Sequence, residues 1–141
     1  MSRIFILALL LPALFSCQES DKQRLTRLVQ EWDGKEIAFP AQVVFTVQGR
    51  DTVDFRWQSA PYRIVTYVDS IGCTSCKLQL PKWKQLIAET DSLFGKEKLS
   101  YVFFFHPKDA RELTYLTRRD AFTYPVCFDR EDAFNRVNRF P

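Results

Sequence analysis

Two residues separate Cys73 and Cys76 in Cys73-Thr74-Ser75-Cys76, directly after the turn Asp69-Ser70-Ile71-Gly72. On a helix that spacing puts the second cysteine one turn beyond the first. It can close a disulfide with its neighbour or resolve a mixed disulfide that its neighbour has formed. A cysteine in the first turn of a helix faces unpaired backbone N–H groups and the positive end of the helix dipole, and both favour thiolate over thiol. Cys73 is therefore the candidate attacking thiolate. Cys76 is the candidate resolving thiol, expected to be shielded a turn inside. Asp69, four residues before Cys73, is the nearest candidate proton acceptor, and it reads equally well as a turn residue closing the preceding strand. Two plainer readings compete. The pair could be half of a zinc site, but zinc needs two more ligands, and outside the leader only the isolated His106 and Cys127 are on offer. The pair could also be a purely structural disulfide, since cysteine pairs of exported proteins are usually oxidised. His106, before Pro107, reads as a solvent-edge residue and Cys127 as a small apolar core residue, so no metal is assigned.

The elements that must carry this pair follow from the hydrophobic pattern. Tyr62 to Val68 and Leu99 to Phe105 are mostly apolar runs without strict alternation, which predicts central strands covered on both faces. Between them the pattern predicts one long helix from near Cys73 to about Phe94, with Cys76, Leu80, Trp83 and Ile87 on one stripe and Gly95 as its cap. Asp109 opens another helix, with Glu112 completing a capping box and Leu113 and Leu116 facing inward. Tyr124 to Phe128 reads as a short strand. Asp129 then caps a last helix with Phe134 and Val137 on its inner side. Upstream, Ser20 to Trp32 carries Leu25, Leu28, Val29 and Trp32 on one helical stripe, ended by Gly34. Ala41 to Val47 and Thr52 to Gln58 flank the turn Gln48-Gly49-Arg50-Asp51 as a half-exposed hairpin, with Val53, Phe55 and Trp57 on one face. The order α, hairpin, β, α, β, α, β, α argues an α/β sheet with helices on its faces. Thirteen Phe, three Trp and five Tyr against four Gly suit such a sheet better than a loop-rich scaffold. The net charge of +3 is spread without a Lys/Arg block, so no nucleic-acid footprint is present.

The first residues read as an address. A short positive start, Met1 to Arg3, precedes an unbroken apolar run, Ile4 to Phe15, too short to span a bilayer and of the length of a signal-peptide core. Leu14-Phe15-Ser16-Cys17 then resembles the lipobox of bacterial lipoproteins, with Phe15 bulkier than the usual residue at its place. That resemblance implies that residues 1–16 are removed and that Cys17 becomes a lipid-bearing N-terminus. Several acyl chains on one residue would then hold a soluble domain at a membrane without a spanning helix. Gln18 after Cys17 leans away from retention at the inner membrane.

Around the cysteine pair the chain resembles the thioredoxin superfamily, and within it the membrane-anchored TlpA-like branch. The residues that carry the resemblance are Tyr67-Val68-Asp69, Cys73-Thr74-Ser75-Cys76 and Lys77 to Pro81. Pro81 stands five residues past Cys76, where thioredoxins have the proline that kinks the active-site helix. The likeness covers about Pro61 to Asp129. The chain departs from the family in having no aromatic residue directly before Cys73, no proline between the cysteines, and no buried acid at the thioredoxin spacing. TlpA-like proteins insert one strand and one helix before the superfamily's cis-proline strand, and Tyr124–Asp129 with Phe134–Asn138 looks like that insertion. On this mapping the cis-proline, two strands and a helix would follow Asn138, and the chain reads as C-terminally incomplete. The other mapping makes Pro125 the cis-proline.

The expectation is thus a lipoprotein signal peptide over residues 1–16, a lipidated N-terminus and helix over 17–33, and a thioredoxin-like domain over 34–141. Its function would be that of a thiol–disulfide oxidoreductase at an extracytoplasmic membrane surface, periplasm-facing or in the outer membrane. It would act on protein thiols or disulfides through a Cys73 mixed disulfide, with no metal or organic cofactor and no nucleic-acid partner. The alternative is a non-enzymatic lipoprotein that uses the same scaffold as a binding or structural module.

Overall fold

A computed structural model describes residues 20–141, so Cys17 and the leader lie outside the described residues. The chain divides into two compact units, 1–37 and 38–141. The described part of the first holds helix α1, Asp21–Trp32. Ser20 opens it with a capping box: the Ser20 hydroxyl accepts the Gln23 N–H, and the Gln23 side chain accepts the Ser20 N–H at 3.0 Å.

The second unit is built on strands β1 (Phe45–Val47), β2 (Asp51–Val53), β3 (Tyr62–Val68), β4 (Leu99–Phe105) and β5 (Val126–Phe128). Among the described residues they form one mixed sheet of order β2-β1-β5-β4-β3. The hairpin β1–β2 is antiparallel, β1 pairs antiparallel with β5, and β5, β4 and β3 run parallel. Helices α2 (Thr74–Leu78) and α3 (Leu80–Phe94) connect β3 to β4, α4 (Ala110–Arg119) connects β4 to β5, and α5 (Ala133–Asn138) follows β5. This is the α/β architecture the pattern predicts, with an open sheet and flanking helices.

The core lies on both sides of β4, because side chains alternate across a strand. On one face Tyr101, Phe103 and Phe105 cluster with Leu78, Leu80, Leu113, Leu116 and Phe122, and Trp83 packs against them. On the other face Phe104 stacks on Phe134 at 4.0 Å, with the Phe39 and Phe45 rings at 6.1 and 6.0 Å. Asp129 secures α5 from outside it. Its buried carboxylate accepts the backbone N–H groups of Ala133 and Phe134, each at 2.8 Å.

Several expectations are corrected. The strand Tyr62–Val68 has its predicted limits but is the edge of the sheet and has no buried residue. The hairpin strands are shorter than Ala41–Val47 and Thr52–Gln58. Trp57 turns into a 3-10 segment, Trp57–Ser59, and is buried with its ring 4.3 Å from Phe39, a contact that a straight strand would have forgone. The single helix expected from Cys73 to Phe94 is two helices, parted at Gln79, whose backbone is left-handed (φ 43°). Pro81 lies in the first turn of α3, where its missing N–H costs nothing; inside a continuous helix it would have removed a hydrogen bond. Val137 is about half exposed, whereas Phe134 is fully buried. Asp109 caps α4 by accepting the Arg111 N–H, but Glu112 does not close a capping box. The Pro125 peptide bond is trans.

Candidate functional site

β3 ends at Val68 on the sheet edge, and the chain turns through Asp69–Gly72 into Cys73. The turn is shaped by Asp69, whose carboxylate accepts the Ile71 N–H at 2.8 Å, and by Gly72, whose φ of +78° a side chain would strain. Cys73 is the N-cap of α2 and is disulfide-bonded to Cys76, with their Cα atoms 5.4 Å apart. Both cysteines are exposed, which corrects the expectation that Cys76 is shielded. The reason is the brevity of α2. The helix ends two residues after Cys76, and only Leu78 of its five residues is buried.

The two sulfurs are not equivalent. Cys73 Sγ accepts the Cys76 backbone N–H at 3.3 Å and lies 3.4 Å from the Ser75 hydroxyl. When the disulfide is opened, the same N–H and the freely turning hydroxyl can both donate to a Cys73 thiolate. The anion is thus favoured by two local donors. The macrodipole of a long helix, invoked from the sequence, contributes little from a five-residue helix set apart by Gln79.

A helix of one turn does not stand alone, and α2 is tied down at three points. Leu78 anchors its end in the core. Lys77 Nζ lies 2.5 Å from Asp69 Oδ1, so the ion pair closes the loop that holds the cysteines. The Thr74 hydroxyl donates to Glu112 Oε2 at 3.3 Å, joining the cysteine segment to α4. The hydrogen bond from Lys77 holds the Asp69 carboxyl below the usual carboxylate range. A carboxylate so held is a weak base, and its bonds make it first a loop-shaping residue.

His106 follows β4. Its Nδ1–H donates to the Asp129 carbonyl at 2.8 Å, since a carbonyl can only accept. Cys127 is buried in β5 as a free thiol, and burial pushes its pKa up to about 11. The two further ligands a zinc reading would need are thus engaged elsewhere, and among the described residues no cluster of three or more His, Cys, Asp and Glu side chains could hold a metal ion. Tyr67, at the end of β3, donates to Asp132 at 2.5 Å, and burial followed by that bond raises its pKa above the ordinary phenol value.

The structure therefore gathers Asp69, Cys73 and Cys76 in one loop–helix segment, with Pro81 in the helix that follows. Sequence reasoning missed the roles of Ser75 and Lys77 and assigned Glu112 to a capping box instead of to Thr74. An opposite charge eight residues after Asp69 could have pointed to Lys77. Nothing local could have pointed to Glu112, whose partner is 38 residues away. No protein-family model, no characterised protein sequence and no solved structure matches the chain.

Proposed function

We propose that this chain is a thiol–disulfide oxidoreductase of thioredoxin-like fold, held at an extracytoplasmic membrane surface through a lipid on Cys17. The observation that supports the redox reading is the Cys73–Cys76 disulfide on an exposed one-turn helix, a four-residue turn after a strand, with two donors on Cys73 Sγ. A disulfide that only braced the fold would have no need of solvent access. Support for the anchor comes from the apolar leader ending in Leu14-Phe15-Ser16-Cys17. Among the described residues no helix is long and apolar enough to cross a membrane.

In the reducing direction, Cys73 thiolate attacks one sulfur of a substrate disulfide. A bond forms between Cys73 and that sulfur, the substrate S–S bond breaks, and the other substrate sulfur leaves as a thiolate that takes a proton from solvent. The Cys76 thiolate then attacks Cys73 Sγ, the Cys73–Cys76 disulfide forms, and the second substrate sulfur leaves. Two electrons pass from the protein pair to the substrate. An external dithiol restores the pair, and the same steps in reverse oxidise a substrate dithiol.

Redox titration against thiol buffers tests this reading, with Cys76→Ser and Cys73→Ser variants for trapping. The expected result is an accessible potential, mixed disulfides accumulating on Cys73 in Cys76→Ser, and none in Cys73→Ser. A pair that resists reduction under native conditions, with no trapped species in either variant, would assign the disulfide to a structural role.

A further inference from the structure

Along α4, Arg111, Tyr115 and Arg118 recur at i, i+4 and i+7 and so share one helix face, spanning about 10 Å along the axis. With Thr114, Arg119 and Arg130, the last from the turn after β5, they line an open cleft of about 640 Å³. Among the described residues no acidic side chain lines it. Arg119 is held by both oxygens of Asp120, at 2.7 and 2.9 Å. Arg111 meets Asp109 only loosely, at 3.5 Å with its side chain 94% exposed. Arg118 and Arg130 make no ion pair and no side-chain hydrogen bond among the described residues. Tyr115, between Arg111 and Arg118, is 63% exposed.

Cations at a helix C-terminus answer the negative end of its dipole, and that accounts for Arg118 and Arg119. It does not account for Arg111, which sits in the first turn against the dipole, or for Arg130, which is not on the helix. We infer that this cleft is a docking surface for an acidic segment of the disulfide-bearing polypeptide on which Cys73 acts. This rests on the redox reading above.

Two features decide the occupant. Arg111 and Arg118 stand about 10 Å apart along the helix rather than at one point, which suits carboxylates spaced along a chain better than one phosphate. The start of α4, which carries Arg111, is also tied to the cysteine segment, because Glu112 in the same turn accepts the Thr74 hydroxyl. Glu112 itself repels acids at that end. The substrate's acidic residues therefore lie away from its reacting cysteine, and carboxylates that reach Arg111 and Arg118 are about three residues apart in an extended chain. Tyr115 offers such a chain a flat apolar contact between two cations.

The test uses the full chain, two disulfide peptides of equal length carrying either Asp or Gln at those positions, and hydroxyethyl disulfide as a small neutral substrate. At low salt the Asp peptide is expected to show a KM about five- to tenfold below that of the Gln peptide, with the gap closing as salt is raised. Arg118→Gln combined with Arg130→Gln should erase the gap and leave turnover of hydroxyethyl disulfide unchanged. Equal KM values for the two peptides, with the small disulfide still reduced, would overturn the inference and spare the redox reading. If no disulfide is reduced, the redox reading fails, and fluorescence anisotropy of the labelled peptides decides the cleft by the same Asp-over-Gln preference. Stronger binding to anionic phospholipid vesicles than to the Asp peptide, lost in the double variant, would assign the cleft to a membrane surface and overturn the proposal.

Discussion

β3 and β4 lie side by side in parallel register, Tyr62 opposite Leu99 through Val68 opposite Phe105, seven residues each. β4 is buried from Ser100 to Phe105, while β3 has no buried residue at all and exposes Tyr62 and Ile64. Both are apolar runs that feed a loop, so their own side chains do not explain the difference. Position does. β4 has a strand on each side and packed rings on each face. Among the described residues β3 has β4 on one side only. The Tyr62 N–H bonds the Lys98 carbonyl at 3.3 Å and the Val68 carbonyl accepts the His106 N–H at 2.8 Å, so the even-numbered residues of β3 pair with β4. The backbone groups of Arg63, Val65 and Tyr67 therefore point outward. Arg63 partly blunts this edge, as charged residues do on natural edge strands. Its guanidinium folds back to donate to the Gln58 and Ala60 carbonyls at 2.9 and 3.2 Å. The lesson is that the strand carrying the cysteine loop is the yielding one, and the strand that carries no chemistry is the fixed one.

The comparison breaks most readily at its core. Phe103 is fully buried, with Trp83 and Phe122 rings at 5.3 and 5.4 Å, and Phe103→Ala is expected to cost about 3–5 kcal/mol in urea unfolding. Ile64→Ala, on the exposed strand, should cost less than about 1 kcal/mol. Similar losses at both sites would refute the contrast. A backbone version is sharper, because it leaves the core alone. Proline at Thr66 deletes an N–H that faces β4 and is expected to cost about 3 kcal/mol, whereas proline at Val65 deletes an outward N–H and should cost about 1 kcal/mol from its fixed φ. Thermal melts of the two variants, one residue apart, give the answer, and equal melting temperatures would mean that β3 is paired on both sides in solution.

The smallest effect lies where β3 gives way to the cysteine loop. The Asp69 carboxyl titrates low when folded because Lys77 hydrogen-bonds it, so its stabilising contribution is complete above the unfolded carboxyl value and is lost as pH falls through the folded one. Both partners are more than a third exposed, and screening limits the effect to about 0.5 kcal/mol or less. Asp69→Asn should lower the urea midpoint slightly at neutral pH and not at strongly acid pH. A larger loss that persists in acid would show that Asp69 acts through something other than its charge.

The contrast also marks where the sequence was legible. The limits of β3 and β4 could be read because apolar runs end sharply at Pro61, Asp69, Lys98 and His106. Which run was central could not, since burial is conferred by strands and helices that arrive from elsewhere in the chain. Asp109 was legible as a cap because capping is local; Asp129 holds the start of the last helix, as expected, but from three residues before its N-cap, Asp132. The Glu112 side chain was misassigned for the complementary reason, as its better partner, Thr74, is remote in sequence. The break at Gln79 was half legible: Pro81 signalled a disturbance, but a kink in one helix and a left-handed joint between two answer the same signal. The hairpin was over-extended because Phe55 and Trp57 keep strand alternation while Trp57 leaves the strand to bury its ring on Phe39. Of the candidate site, the cysteines and Asp69 were legible from spacing, and the donors on Cys73 Sγ were not.

Cys127 gives the molecule an internal clock. It sits in β5 opposite Phe45 and in register with Phe104, a protonated and enclosed thiol beside a redox pair that lies in the open. Once the Cys73–Cys76 disulfide has been reduced, a thiol reagent marks the two exposed sulfurs early and reaches Cys127 only when β5 parts from its neighbours. The lag between those markings and the one on the Cys127 peptide, followed by mass spectrometry over time, times the opening of the sheet.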